Sequence, residues 1–125
     1  MKRNKGFSLA ELLIVVAIIA ILVAITIPIF SSQLHKARVA TDYANVRSYY
    51  AELQYDFLET EKLDESKLNE WGKPGLTTFK LNNQVITLKE GYLWVAPEYQ
   101  DTKIIGYNLY YMCKKYDCVL ILPED

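Results

Sequence analysis

Hydrophobic positions are distributed very unevenly along this chain. From Leu12 to Phe30 only Thr26 is polar and no charge occurs. Counted from Phe7, the apolar run to Phe30 has 24 residues. As helix it would be about 36 Å long at 1.5 Å per residue, enough to cross the apolar layer of a bilayer. Gly and Pro are absent from Ser31 to Glu59, so the helix is expected to continue to about Leu58 or Glu61. Two stripes run along this second part. Val39, Tyr43, Val46, Tyr50, Leu53 and Phe57 form a bulky one; Ala37, Thr41, Ala44, Ser48 and Ala51 form a small one. Both alternate steps of four and three, and their offset puts them on nearly opposite helix faces. The bulky stripe should pack on a sheet. The small stripe is either a solvated face or a surface for close helix–helix approach. Arg38, Asp42, Arg47, Glu52 and Asp56 flank the stripes and read as a solvated rim.

Beyond the helix the period changes. Residues 61–76 form a polar connection with turn chemistry at Gly72-Lys73-Pro74-Gly75, and Trp71 is expected to plug it against the core. Strands are expected at Thr77–Leu81 and Gln84–Leu88 around an Asn82-Asn83 hairpin turn, then at Tyr92–Val95. Pro97–Lys103 reads as a loop, and Ile104–Met112 and Cys118–Leu122 as two further strands. The expected fold class is α+β: a long N-terminal helix, hydrophobic in its first half and amphipathic in its second, packed on a small antiparallel sheet of three or four strands. The domain layout is residues 7–30 as an apolar segment and 31–125 as a soluble head, with amphipathic helix 31–60, loop 61–76 and sheet 77–122.

Charge and cysteines refine this picture. Formal net charge is −1 over 125 residues. Three of the basic residues, Lys2, Arg3 and Lys5, precede the apolar run. They favour a cytoplasmic N-terminus and an exported head, and they leave the rest of the chain acidic, which does not suggest a nucleic-acid binder. Aromatics near Lys114 and Lys115 could stack on DNA bases, but one short basic loop on an acidic head is a weak basis. Cys113 and Cys118 bracket a four-residue turn. Two thiols cannot make a tetrahedral metal site, and outside the cytoplasm a disulfide closing the hairpin is expected. Glu90, Glu98 and Asp101 offer too few ligands for a calcium site and read as solvated loop charges. His35 is given no role. No nucleophile–base pair, phosphate loop or paired carboxylates in a pocket suggests an enzyme, and no cofactor or metal is expected.

One residue does not suit a plain anchor or signal peptide. Glu11 sits at the entry of the apolar run, where a carboxylate is costly and usually functional. A cationic partner would be created by cutting the chain after Gly6, which frees an amine at Phe7. The segment Gly6-Phe7-Ser8-Leu9-Ala10-Glu11, followed by an unbroken apolar helix, resembles the prepilin cleavage and methylation signal of type IV pilins and related pseudopilins. The resemblance implies that residues 1–6 are a leader, that a prepilin peptidase cuts between Gly6 and Phe7, and that Phe7 is N-methylated. It implies that Glu11 sets assembly register and that Pro28 interrupts the helix when it packs in a filament. The Cys113–Cys118 loop is similar to the disulfide-bounded region of pilins, though very short.

The resemblance further implies a structural subunit of a pilus-like filament serving adhesion, motility or uptake. Such a subunit is first a single-pass cytoplasmic membrane protein and then part of an extracellular filament. Its implied partners are other pilin copies, the peptidase, the inner-membrane assembly machinery and, weakly, DNA. The alternatives are a major pseudopilin of a type II secretion system and a DNA-uptake pilin.

Overall fold

A computed structural model describes residues 8–124. The chain divides into two compact units, with the division between His35 and Lys36. Helix α1 spans Leu9–Thr60. It stops where Glu61 takes a positive φ of 58° and its N–H caps the Phe57 carbonyl, a left-handed C-terminal cap. Five strands follow: β1 Thr78–Leu81, β2 Gln84–Thr87, β3 Gly91–Gln100, β4 Lys103–Cys113 and β5 Val119–Leu122. The α+β architecture is the expected one. The strands, however, form two antiparallel sheets, β1–β2 and β3–β4–β5, instead of one.

The bulky stripe of α1 builds the core of the second unit. Val39, Val46 and Leu53 are buried with Leu93, Val95, Tyr107, Leu109 and Tyr111 of β3 and β4, and Tyr43, Tyr50 and Phe57 pack against them half-buried. Tyr49, which lies outside the stripe, is also buried and stacks on Phe79 of β1 at 4.4 Å. The face is therefore wider than the sequence pattern suggests, because it serves both sheets. The β1–β2 turn is as expected: Leu81 pairs with Gln84, and Asn82 and Asn83 both have positive φ, which a two-residue hairpin with this twist requires.

Three further expectations fail. The first is the Pro97–Lys103 loop. β3 continues to Gln100, and Gln100 pairs with Lys103 around a two-residue turn at Asp101 and Thr102. Pro97 is tolerated because it lies on a sheet-edge strand, just before a register shift at Glu98 and Tyr99. Long pairing with β4 decides the state of this polar stretch, and local composition does not. At Gly106, φ is +154° and an added Cβ would run into the Gln54 carboxamide, whose oxygen accepts from the Tyr107 N–H.

The second is Trp71, which does not plug the core. It is 62% exposed. The connection runs along the edge of β3 through bridges Asn69↔Val95 and Leu76↔Leu93. Leu63, Leu68 and Leu76 take the inward positions, which leaves Trp71 against the outer face of the sheet, on Trp94 and Tyr110.

The third is the solvated rim. Asp42 is fully buried. Its carboxylate accepts from the Lys89 N–H at 2.8 Å, the Glu90 N–H at 2.8 Å and the Tyr111 hydroxyl at 2.6 Å. The other four charges also reach across to the head. Arg38 pairs with Glu90, Arg47 with Glu124 and Asp56 with Lys67, while Glu52 accepts from the Asn82 N–H. The Asp42 position is legible afterwards: at 100° per residue it lies about 60° from Val39, inside the arc an amphipathic helix buries.

Buried phenols give the head a pH signature. Burial pushes the Tyr49 hydroxyl up to about 12. Burial, and then the hydrogen bond to Asp42, push Tyr111 higher still. A raised phenol pKa means that the folded chain keeps a proton that the unfolded chain releases near pH 10. Stability from this source is complete below pH 10 and declines as pH rises through 12. Melting curves of the full chain in detergent should therefore be flat in this respect between about pH 7 and 9 and fall above about 10. Tyr49→Phe should flatten the fall. An unchanged alkaline slope in that variant would remove Tyr49 from the account.

Candidate functional site

The first unit presents a continuous exposed apolar surface. Every described residue from Ser8 to Leu34 is exposed, including Leu13 at 61%, Ile21 at 61% and Phe30 at 63%. Among the described residues α1 is the one helix long and apolar enough to cross a membrane, and none of its most apolar window is buried. An apolar surface of this extent marks an interaction site or a membrane segment.

The helix start is built by Ser8 and Glu11. The Glu11 N–H donates to Ser8 Oγ at 3.3 Å, and the Ser8 N–H donates to Glu11 Oε2 at 3.4 Å. This is a reciprocal capping box, which satisfies two of the amides that a helix start leaves unpaired. Ser8-Leu9-Ala10-Glu11 has the Ser-x-x-Glu spacing of that motif, a signal in the sequence distinct from the role that the resemblance implies. Gly6 and Phe7, the expected cleavage and methylation positions, lie outside the described residues.

α1 runs through Pro28 without a break in the single chain; the interruption implied there concerns a helix packed in a filament. Proline supplies no N–H to the carbonyl of Ala24. Nearby, the Thr26 hydroxyl donates to the Leu22 carbonyl at 2.6 Å and the Ser31 hydroxyl to the Ile27 carbonyl at 3.1 Å. These bonds satisfy polar side chains within and just past the apolar segment.

The small stripe is exposed along its whole length, from Ala37 through Thr41, Ala44 and Ser48 to Ala51. Thr41 and Ser48 turn their hydroxyls onto the carbonyls of Ala37 and Ala44, each at 3.0 Å. The stripe therefore carries no large side chain, and its two hydroxyls are already engaged.

Cys113 and Cys118 are joined by a disulfide, with Cα atoms 5.5 Å apart. Backbone bonds from the Cys113 N–H to the Cys118 carbonyl and from the Tyr116 N–H to the Cys113 carbonyl close the turn. Lys114, Lys115 and Tyr116 are exposed at its tip. Glu90 and Asp101 lie beyond opposite ends of the ten-residue strand β3, so the three acids that are close in sequence do not converge.

Sequence reasoning missed two constellations, the buried Asp42 hub and the aromatic group of Trp71, Trp94 and Tyr110. The second has a signal in hindsight: Trp94 and Tyr110 are outward positions of their strands, directly paired across the ladder.

Comparisons with known proteins bear on the first unit above all. The family model for the prokaryotic N-terminal methylation motif matches residues 1–27. The chain is 52% identical over 52 residues to the type IV narrow pilus major component of Thermus thermophilus, covering 39% of this chain and 45% of that protein. It is 38% identical over 63 residues to the type IV major pilin protein of Myxococcus xanthus, covering 50% and 29%. It is 36% identical over 73 residues to the type IV major fimbrial protein of Dichelobacter nodosus, covering 58% and 45%. The chain spans less than half the length of each of these relatives. No solved structure matches it. The methylation motif, the fold of one long helix on a small antiparallel head, and these relatives agree on the type IV pilin and prepilin family.

Proposed function

We propose that the chain is a structural subunit of a type IV pilus-like filament. The observation that carries this reading is the exposed apolar surface running from Leu9 to Phe30, most of it within the residues that the methylation-motif model matches. Such a helix has two low-energy environments: a bilayer, and a bundle of identical helices. In this reading a prepilin peptidase removes residues 1–6 and methylates Phe7. The precursor waits in the cytoplasmic membrane with Lys2, Arg3 and Lys5 on the cytoplasmic side, and the assembly machinery transfers it into a surface filament. Filaments sheared from cells should contain this chain beginning at Phe7, one methyl heavier than the bare residue, in intact-mass measurement. Retention of Met1 in filaments would end the processing scheme. Secretion failure without any surface filament would favour a secretion pseudopilus.

The two helix stripes give a paired expectation. Leu53 is fully buried, so Leu53→Ala should destabilise the chain by about 3 kcal/mol through lost transfer energy and a cavity. Ala44 is exposed, and Ala44→Phe should leave the melting of the detergent-held chain almost unchanged. In filaments the added ring should block close helix approach and lower yield. If Ala44→Phe filaments form at the normal yield, the small stripe is only a solvated face.

A further inference from the structure

The outer face of the three-stranded sheet carries a feature that the polymerisation proposed above, through the apolar helix, does not use. Trp71, Trp94, Ala96, Asn108 and Tyr110 line an open cleft of about 370 Å³, near the small end of the ~300–1,000 Å³ usual for small-ligand sites. It lies wholly within the second unit. We propose that this cleft binds a neutral saccharide.

The geometry of the rings argues for this ligand class. Trp71 sits 4.4 Å from Trp94 and 4.7 Å from Tyr110, tilted 68° to both, and Trp94 lies 6.0 Å from Tyr110. Rings this close pack edge to face on one another. They leave no hollow into which several aromatic faces turn, which a caged quaternary ammonium requires. What stays open is the outer surface of Trp71, 62% exposed, beside a low floor at Ala96. Trp94 is held in place, because its indole N–H donates to the Lys73 carbonyl at 2.9 Å. The result is a pinned aromatic platform next to a gap that a small side chain keeps free.

Polar groups stand at one end. Asn108 pairs with Ala96 across the ladder and donates from Nδ2 to Glu98 Oε2 at 2.7 Å. That bond fixes the carboxamide and leaves its oxygen and second N–H for a ligand's hydroxyls. A pyranose has both required surfaces: a face of C–H groups for an aromatic ring and a rim of hydroxyls for an amide. A nucleobase would also stack, but it brings phosphate. Residues 36–125 hold 11 basic against 14 acidic side chains, no cation lines the cleft among the described residues, and Glu98 stands behind its polar end. Charge therefore disfavours nucleic acid and anionic glycans, and selects an uncharged sugar.

The chain has two tryptophans, and both line the cleft, so intrinsic fluorescence reports directly on it. Full-length protein, held in a detergent without a sugar headgroup, would be screened on an array of neutral glycans. The best binder would then be titrated by tryptophan fluorescence beside a deoxythymidine decamer. A saturable shift with the neutral glycan, weakened more than tenfold by Trp71→Ala and by Asn108→Ala, supports the site. Tyr116→Ala, which changes an aromatic 78% exposed on the disulfide turn, should leave that affinity unchanged. Far-ultraviolet circular dichroism confirms that each variant is folded. The proposal is overturned by an array without binders, by glycan binding indifferent to both cleft variants, or by the decamer binding where glycans do not.

Discussion

Asp42→Ala should be the most damaging single change to the head, with a cost of about 3–5 kcal/mol. The carboxylate is fully buried and serves three donors on two separate pieces of chain. Lys89 and Glu90 form the corner between β2 and β3, and Tyr111 lies near the C-terminal end of β4. Removing the carboxylate leaves a buried phenol and two part-buried amides without their acceptor, and each unpaired buried donor costs about 1–3 kcal/mol. The isosteric change Asp42→Asn should be gentler. One oxygen remains to accept, and the Tyr111 hydroxyl can turn to receive the new N–H, so about one bond is lost in place of three. Arg47→Ala is the contrast. Its partner Glu124 is only 2.6 Å away, but the two side chains are 49% and 55% exposed, and pairs of that kind are worth well under ~1 kcal/mol. Denaturant unfolding of the full chain in detergent ranks the three. If Asp42→Ala costs no more than Arg47→Ala, the hub does not hold the sheet to the helix.

This hub also shows where sequence reading stops. The long helix, the bulky stripe, the Asn82-Asn83 hairpin and the cysteine-closed turn were all legible because each is encoded locally. Spacing fixes a helix face, and two asparagines with positive φ fix a tight turn. Asp42 was not legible as a core residue because its burial depends on what comes back to meet it 47 and 48 residues later. A charge on the flank of an apolar face is solvated unless amides arrive to replace water. The same reason explains β3. Pro97, Glu98 and Gln100 look like a loop until the full length of β4 pairs with them. Trp71 looked like a core plug because large aromatics usually are. Its exposure follows from the edge bridges that bring Asn69 and Leu76 inward beside it. In the first unit, by contrast, the apolar run and the Gly6-to-Glu11 motif can be read directly. What a single chain does not contain is the neighbour those residues would meet.

Glu11→Gln should lower filament yield by more than tenfold while leaving the head folded, and a comparison with Ser8→Ala shows why the carboxylate charge is the relevant property. Within one chain Glu11 has an ordinary structural role, since with Ser8 it caps the start of α1. If capping were its whole contribution, Gln would serve nearly as well, because the motif accepts either residue at that position. Ser8→Ala would then be the harmful change, at about 1 kcal/mol for a lost N-cap. The proposed filament reverses this ranking. There the Glu11 carboxylate sits among apolar helices and compensates the terminal amine of Phe7 on a neighbouring subunit. Neutralising one partner strands the other charge in a low-dielectric bundle, a penalty of about 3–5 kcal/mol repeated at each subunit. The same pairing fixes axial register, because any other stagger leaves both charges alone. Ser8→Ala keeps the carboxylate and so should assemble at close to normal yield. Glu11→Gln keeps the cap and should not. Membrane fractionation and protease protection of the head check that both variants are inserted and folded, and sheared-filament yield gives the result. Normal filaments from Glu11→Gln, with a deficit from Ser8→Ala, would assign Glu11 to helix capping and reject the charge-pairing role.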